Sequence, residues 1–175
     1  MSESDRIQQY EEFMSGIPIK LSVLDLSELG FFTAPASTKY HGAYEGGLFD
    51  HSLETAKSLV ELTKKLGLKW RYGASPYIVG MYHDLCKCDN YTIDFETQKY
   101  TYNSDMILPG HGEKSIIMIQ KYICLTAEEI ACIRWHMGAF DDSKNWEYYG
   151  RAIEKYPNVL FTHTADMIAS RIKGI

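Results

Sequence analysis

The chain has 175 residues, 45% of them hydrophobic, and a formal net charge of −5. That is enough for one domain with a real core and short for two. A charged fraction of 23% excludes wholesale disorder, and the acidic balance argues against a general nucleic-acid coat protein.

The N-terminus starts acidic and polar, without the basic start and apolar core of a signal peptide, so a cytoplasmic protein is expected. No stretch approaches 18 apolar residues, and no transmembrane helix is expected. Residues 4–14 read as a short amphipathic helix and residues 19–29 as a second, ending at Gly30. Residues 31–47 hold Pro35, Gly42, Gly46 and Gly47 and read as an irregular connection. Over residues 52–66, Leu53, Ala56, Val60 and Leu66 recur at helical spacing, and Gly67 sits where a C′ residue belongs.

Ser75 and Pro76 read as an N-cap with a first-turn proline. The helix after them, through Leu85, is apolar on nearly every side, the mark of a central buried helix. In residues 91–102, Tyr91, Ile93 and Phe95 alternate with polar residues, as do Tyr100 and Tyr102, which predicts a small β-hairpin. A helix follows from about Glu113 to Cys124. Thr126 and Glu129 form a capping box for the next helix, which reaches about His136 and stops at Gly138. Residues 144–155 and 159–172 read as the last two helices. The predicted fold is all-α, a helical bundle with one hairpin insertion. Cys86, Cys88, Cys124 and Cys132 lack the spacing of a disulfide framework and read as reduced core thiols, with Cys86-Lys87-Cys88 as a weaker metal-binding alternative.

His83 and Asp84 sit together in the most apolar segment, where a carboxylate is costly unless paired. His51, His111 and His136 stand at predicted helix ends, and Asp166 lies in an apolar helical context. Imidazole and carboxylate together suit zinc, iron, manganese or cobalt, and bundles build such sites from facing helices.

In this order, His51, His83-Asp84 and Asp166 resemble the signature of the HD superfamily of metal-dependent phosphohydrolases. Local strings carry the resemblance: GGLFDHSLETA at 46–56, HDLCK at 83–87, GHGEKS at 110–115, IRWHMG at 133–138 and HTADMIASR at 163–171. It covers about residues 40–173, so residues 40–175 are taken as an HD domain with residues 1–39 as a helical segment packed on it. The resemblance implies an all-α bundle in which His51, His83, Asp84 and Asp166 bind one metal. Asp84 would bridge to a second ion held also by His111 and His136. The cofactors implied are divalent ions, two in number, drawn from Fe, Mn, Co, Zn or Mg.

The activity implied is hydrolysis of a phosphoester, of a nucleotide or related small molecule, by a metal-activated hydroxide. Asp84 and Lys87 would be catalytic, and Lys87 and His41 would contact substrate. A support pair with Asp84 is the other reading of Lys87, and a surface loop the other reading of His41. The start of the helix near Gly112, with Lys114 and Ser115, offers an anion site or a solvated terminus. His163 reads as a core histidine more than a partner of the ligands, Arg134 as structural, and Asp141 and Asp142 as a solvated turn. Trp135, Trp146, Tyr148 and Tyr149 read as core. The hairpin after HDLCK is a candidate for covering the pocket.

Exoribonuclease-type members carry an added nucleic-acid-binding module, for which residues 1–39 are too short and too acidic. No Gly-Tyr-Pro segment follows the histidines, which disfavours the cyclic-di-nucleotide branch. The same ligand order also resembles the HD-type mixed-valence di-iron oxygenases. A metal-holding nucleotide sensor without turnover is a third reading.

Overall fold

The computed structural model describes residues 1–94 and 96–175. Phe95, part of the predicted hairpin, lies outside the described residues. The fold is all-α with one small β insertion, as expected. Among the described residues, no helix is long and apolar enough to cross a membrane.

Helix α1 (Glu3–Phe13) opens on a capping box in which the Ser2 hydroxyl accepts from the Asp5 amide and the Asp5 carboxylate accepts from the Ser2 amide. Helix α2 (Val23–Glu28) is capped by Ser22. Both belong to the main core. The hydroxyls of Tyr10 and Tyr82 share a 2.6 Å hydrogen bond, and Arg6 pairs with Asp50 at 3.2 Å. Tyr10, Phe31, Phe32 and Phe49 form an aromatic cluster with contacting centroids 5.4–5.9 Å apart, edge-on except for the tilted Phe32–Phe49 pair. The connection after α2 is irregular but buried at Phe31, Phe32, Ala36 and Ser37.

The long helix α3 (Gly47–Leu66) begins five residues before the predicted start, so His51 lies in its second turn rather than at its mouth. Helix α4 (Ser75–Tyr82) is apolar all round and buried, as its composition predicts, but two details differ. Ser75 is the first helical residue, and its hydroxyl donates to Glu129 at 2.7 Å instead of capping the helix. The helix also stops before the His-Asp pair. Leu85 bonds to Tyr82 and Lys87 to Asp84 in tight three-residue turns, which lead into α5 (Lys87–Asn90).

Strands β1 (Tyr91–Ile93) and β2 (Tyr100–Tyr102) pair antiparallel with Tyr91 opposite Tyr102. Helix α6 (Gly112–Ile119) is shorter than predicted, and α7 (Ala127–Arg134) carries the predicted Thr126–Glu129 capping box. Helix α8 (Trp146–Lys155) lies near the surface; Trp146 and Tyr148 are exposed, whereas their spacing predicts core. Helix α9 (Asn158–Met167) runs straight into a π-helical turn over Ile168–Lys173. All four cysteines are free; Cys86 and Cys132 are buried, Cys88 is half-buried and Cys124 is exposed, so the core-thiol expectation fails at Cys124.

The α3–α4 contact sets the site, because α3 carries His51 and the end of α4 delivers His83 and Asp84. Gly80 makes it possible: a Cβ there would stand 2.4 Å from Ala56 Cα and 2.9 Å from Ala56 N. Backbone cannot retreat as a side-chain tip can. Gly80→Ala is therefore expected to wedge the helices apart and to cost about 1–3 kcal/mol by overpacking. The check is the urea midpoint; an unchanged midpoint would show that the two helices separate freely.

Candidate metal centre

Five chain segments converge on one buried cluster. His51 comes from α3, His83 and Asp84 from the turn after α4, His111 from the cap position of α6, His136 from just beyond α7, and Asp166 from the last turn of α9. Helix α6 approaches α7 closely because residue 112 is glycine: a Cβ there would lie 2.5 Å from the Arg134 carbonyl oxygen. This brings His111 beside the end of α7 and so toward His136.

Three histidines are held in the same way. Their Nδ1 atoms face carbonyl oxygens: His51 with Ile175 at 2.9 Å, His83 with Gly80 at 2.8 Å and His136 with Ile133 at 2.7 Å. A carbonyl accepts only from N–H, so Nδ1 carries a proton in each ring and Nε2 is the atom turned to the interior. Those Nε2 atoms surround Asp84. His51 and His83 stand 3.6 and 3.5 Å from its Oδ2, and His136 stands 3.3 Å from its Oδ1. His51 Nε2 also lies 3.2 Å from Asp166 Oδ1.

This donor set fits a cation. His51 and His83 Nε2 are 3.3 Å apart, and two facing lone pairs need a proton or a cation between them. Asp84 Oδ1 and His136 Nε2 are buried and face each other at 3.3 Å, and neither makes a well-formed hydrogen bond among the described residues. Ligand atoms fall into three overlapping close groups, each within 4.8 Å: His51 with His83 and Asp84, His83 with His136 and Asp166, and Asp84 with Cys86 and His111. These buried groups can hold a metal ion. In metal proteins the second ring nitrogen of a ligating histidine is held in just this manner.

Charge follows from burial and neighbours. Burial pushes Asp84 upward, but Lys87 and the imidazoles outweigh it and hold the carboxyl well below its ordinary value. Burial likewise pushes Asp166 upward, and the His51 contact with the other imidazoles reverses it. Burial lowers His83 and His41 to about 4, and lowers His111. His136 moves the other way: burial lowers it, and the Asp84 carboxylate beside it more than compensates.

Beside the cluster lies a pocket of about 300 Å³. Asp84, His111 and Asp166 reach its inner wall, with His41, Lys87 and Tyr91 next to them. His41 therefore turns into the pocket, its ring centroid 5.0 Å from that of His51. Lys87 is buried and pairs with Asp84 Oδ2 at 2.6 Å, the support geometry of the two readings. Tyr91 is the hairpin's contribution to this wall; Thr92, Ile93 and Tyr100 face a neighbouring groove.

Several other residues fall elsewhere. Lys114 is buried and spans to Asn90 at 2.7 Å and Asp89 at 2.6 Å, tying α6 to the hairpin stem. Ser115 accepts from the Cys86 amide. Neither offers itself to an anion. His163 is half-buried and donates from Nδ1 to the His136 carbonyl at 2.7 Å. Arg134 pairs with Glu113 and Asp141 and stacks on Trp135 at 4.0 Å, the structural role expected of it. Asp141 is thereby committed, and Asp142 pairs with Lys144.

Sequence reasoning did not single out Tyr40, Phe140, Ser170 or Arg171, which complete the pocket wall. Arg171 had one signal, its place at the end of HTADMIASR. Cys86, two residues after Asp84, read first as a core thiol, with Cys86-Lys87-Cys88 as the weaker metal-binding alternative.

Comparison with protein-family models, with curated proteins and with solved structures gives no match.

The Lys87–Asp84 pair is the internal counterweight to the buried carboxylate. Without metal, Lys87→Met leaves that charge facing only imidazoles, and a loss of about 3 kcal/mol is expected. Urea denaturation with chelator present measures it, and added zinc or manganese should restore part of the loss. Equal midpoints for the two proteins would show that Asp84 needs no counterweight.

Proposed function

We propose that this chain is a metal-dependent phosphohydrolase of the HD superfamily, acting on a phosphoester of a nucleotide or related small molecule. The observation that carries this is a cation-ready cluster of imidazoles and carboxylates at the inner wall of an open pocket. The ordered motifs add to it.

In this reading His51, His83, Asp84 and Asp166 hold one ion, and Asp84, His111 and His136 a second. Bound divalent ions polarise a water toward attack and neutralise charge on phosphoryl oxygens. The protein's own residues do the rest. Asp84 sits between the two ligand halves, with Oδ2 toward His51 and His83 and Oδ1 toward His136. Lys87 keeps its proton, since burial lowers it but the Asp84 carboxylate more than reverses the effect. It offers a fixed positive charge at the pocket wall. His41 is neutral near pH 7 because burial lowers it to about 4, so it serves a phosphoryl oxygen or leaving group as a hydrogen-bonding ring. Arg171 adds an exposed cation at the mouth, 5.7 Å over the Phe140 ring. The exposed rings of Tyr40 and Phe140 at the rim support the nucleotide reading, because a planar base stacks on such surfaces.

The test is a phosphoester panel: nucleoside mono-, di- and triphosphates, cyclic nucleotides, sugar phosphates and a chromogenic ester. Metal-stripped protein is assayed with Mn²⁺, Co²⁺, Fe²⁺, Zn²⁺ and Mg²⁺. Hydrolysis supported by at least one ion is expected, with metal and activity lost together in the His83→Ala, Asp84→Ala double variant. Full activity in that variant would sink the site assignment. No hydrolysis, together with a coupled Fe(II)/Fe(III) resonance from protein purified without oxygen, would favour the oxygenase chemistry instead.

A further inference from the structure

We propose that Cys86 is a metal ligand: with His111 and Asp84 its sulfur holds the second cation and makes that half of the site select a thiophilic metal. The proposal rests on the metal-site reading above and departs from it in the ligands, since the set implied by the resemblance contains no sulfur.

The geometry places the thiol at the cluster. Cys86 is fully buried, two residues after Asp84 in the tight turn that follows α4. Its amide donates to Ser115 Oγ at 3.1 Å, which fixes the backbone where the side chain leaves it. Its Sγ then stands 3.6 Å from His111 Nδ1. The ligand atoms of Asp84, Cys86 and His111 lie within 4.8 Å of one another.

Two features favour ligation over a plain contact. On one tetrahedral zinc, sulfur at about 2.3 Å and nitrogen at about 2.0–2.1 Å stand about 3.5 Å apart, close to the separation seen here. A hydrogen bond between His111 and the thiol would also span that distance, but it gives no account of the Asp84 carboxylate oxygen that lies within 4.8 Å of both atoms. The other three ring systems differ as well. His51, His83 and His136 direct Nδ1 to carbonyl oxygens and keep Nε2 for the interior. The Nδ1 of His111 faces the Cys86 sulfur instead.

Coordination replaces the S–H bond by a metal–sulfur bond and releases the proton to solvent, with no change of oxidation state. Thiolate ligands favour zinc, iron and cobalt over magnesium. The half of the site without sulfur carries no such bias.

Cobalt substitution tests this without reference to activity. The full chain is stripped with chelator under reducing conditions and titrated anaerobically with Co²⁺. An intense near-ultraviolet sulfur-to-cobalt charge-transfer band is expected. It should vanish in Cys86→Ser and persist in Cys88→Ser and Cys124→Ser. Zinc competition should show a loss of about tenfold or more in one of two sites in Cys86→Ser, since even outer partners of ligands are worth that much. Should Cys86→Ser fail to fold, X-ray absorption of zinc-loaded Cys88→Ser still reads the shell: sulfur at about 2.3 Å supports the proposal. Two bound ions with only nitrogen and oxygen neighbours would overturn it and leave the metal centre standing. Failure to bind any cobalt would overturn both.

Discussion

The structure turns on one buried carboxylate. Asp84 is 3% exposed, and an ionised group there is tolerated only if other groups replace the water it has lost. Lys87 supplies a full positive charge at 2.6 Å, and three imidazoles surround the two oxygens. The balance is incomplete, because Oδ1 makes no well-formed hydrogen bond among the described residues, although His136 Nε2 stands 3.3 Å from it. A helix bundle with a merely structural ion pair has no reason to crowd lone pairs around one oxygen pair. A donor set that can hold a cation gives one, and a proton or a cation between them accounts for ring nitrogens that face each other at 3.3 Å.

Holding such a cluster requires the ends of several helices to meet. Helix α3 is long enough to pack on α4, on α9 and on the closing π-helical turn. Close approach of α4 to α3 and of α6 to α7 depends on the missing side chains at Gly80 and Gly112. The backbone also orients the rings. Carbonyls at helix ends and in the closing segment receive the Nδ1 protons and set which nitrogen each ring presents. The π-helical turn that begins two residues after Asp166 carries Ser170 and Arg171 onto the wall that Asp166 begins. Such wide turns are rare and recur at functional sites.

Much of the fold was legible because its signals are local. The capping box at Thr126, the all-apolar run of α4 and the period-two aromatics of the hairpin each follow from neighbouring residues. Errors arose where a tertiary partner outweighed a local preference. Ser75 has the chemistry of a cap, but Glu129 takes its hydroxyl. Lys114 has the look of an anion-binding residue at a helix start, yet Asn90 and Asp89 draw it inside. Trp146 and Tyr148 have helical spacing on α8, but that helix lies near the surface and leaves them exposed.

The sequence by itself determined the helical class, the hairpin insertion and the histidines and aspartates worth watching, because periodicity, caps and unpaired polar residues in apolar runs are written within a few positions. It could not decide which of those residues meet, since His51 and Asp166 are 115 positions apart and only the packing of α3 on α9 closes that gap. Tertiary structure alone turned His41 into the pocket, tied Lys87 to Asp84 and set Cys86 against His111. The physical reason is the same in each case: a side chain's partner is chosen by what burial brings within reach.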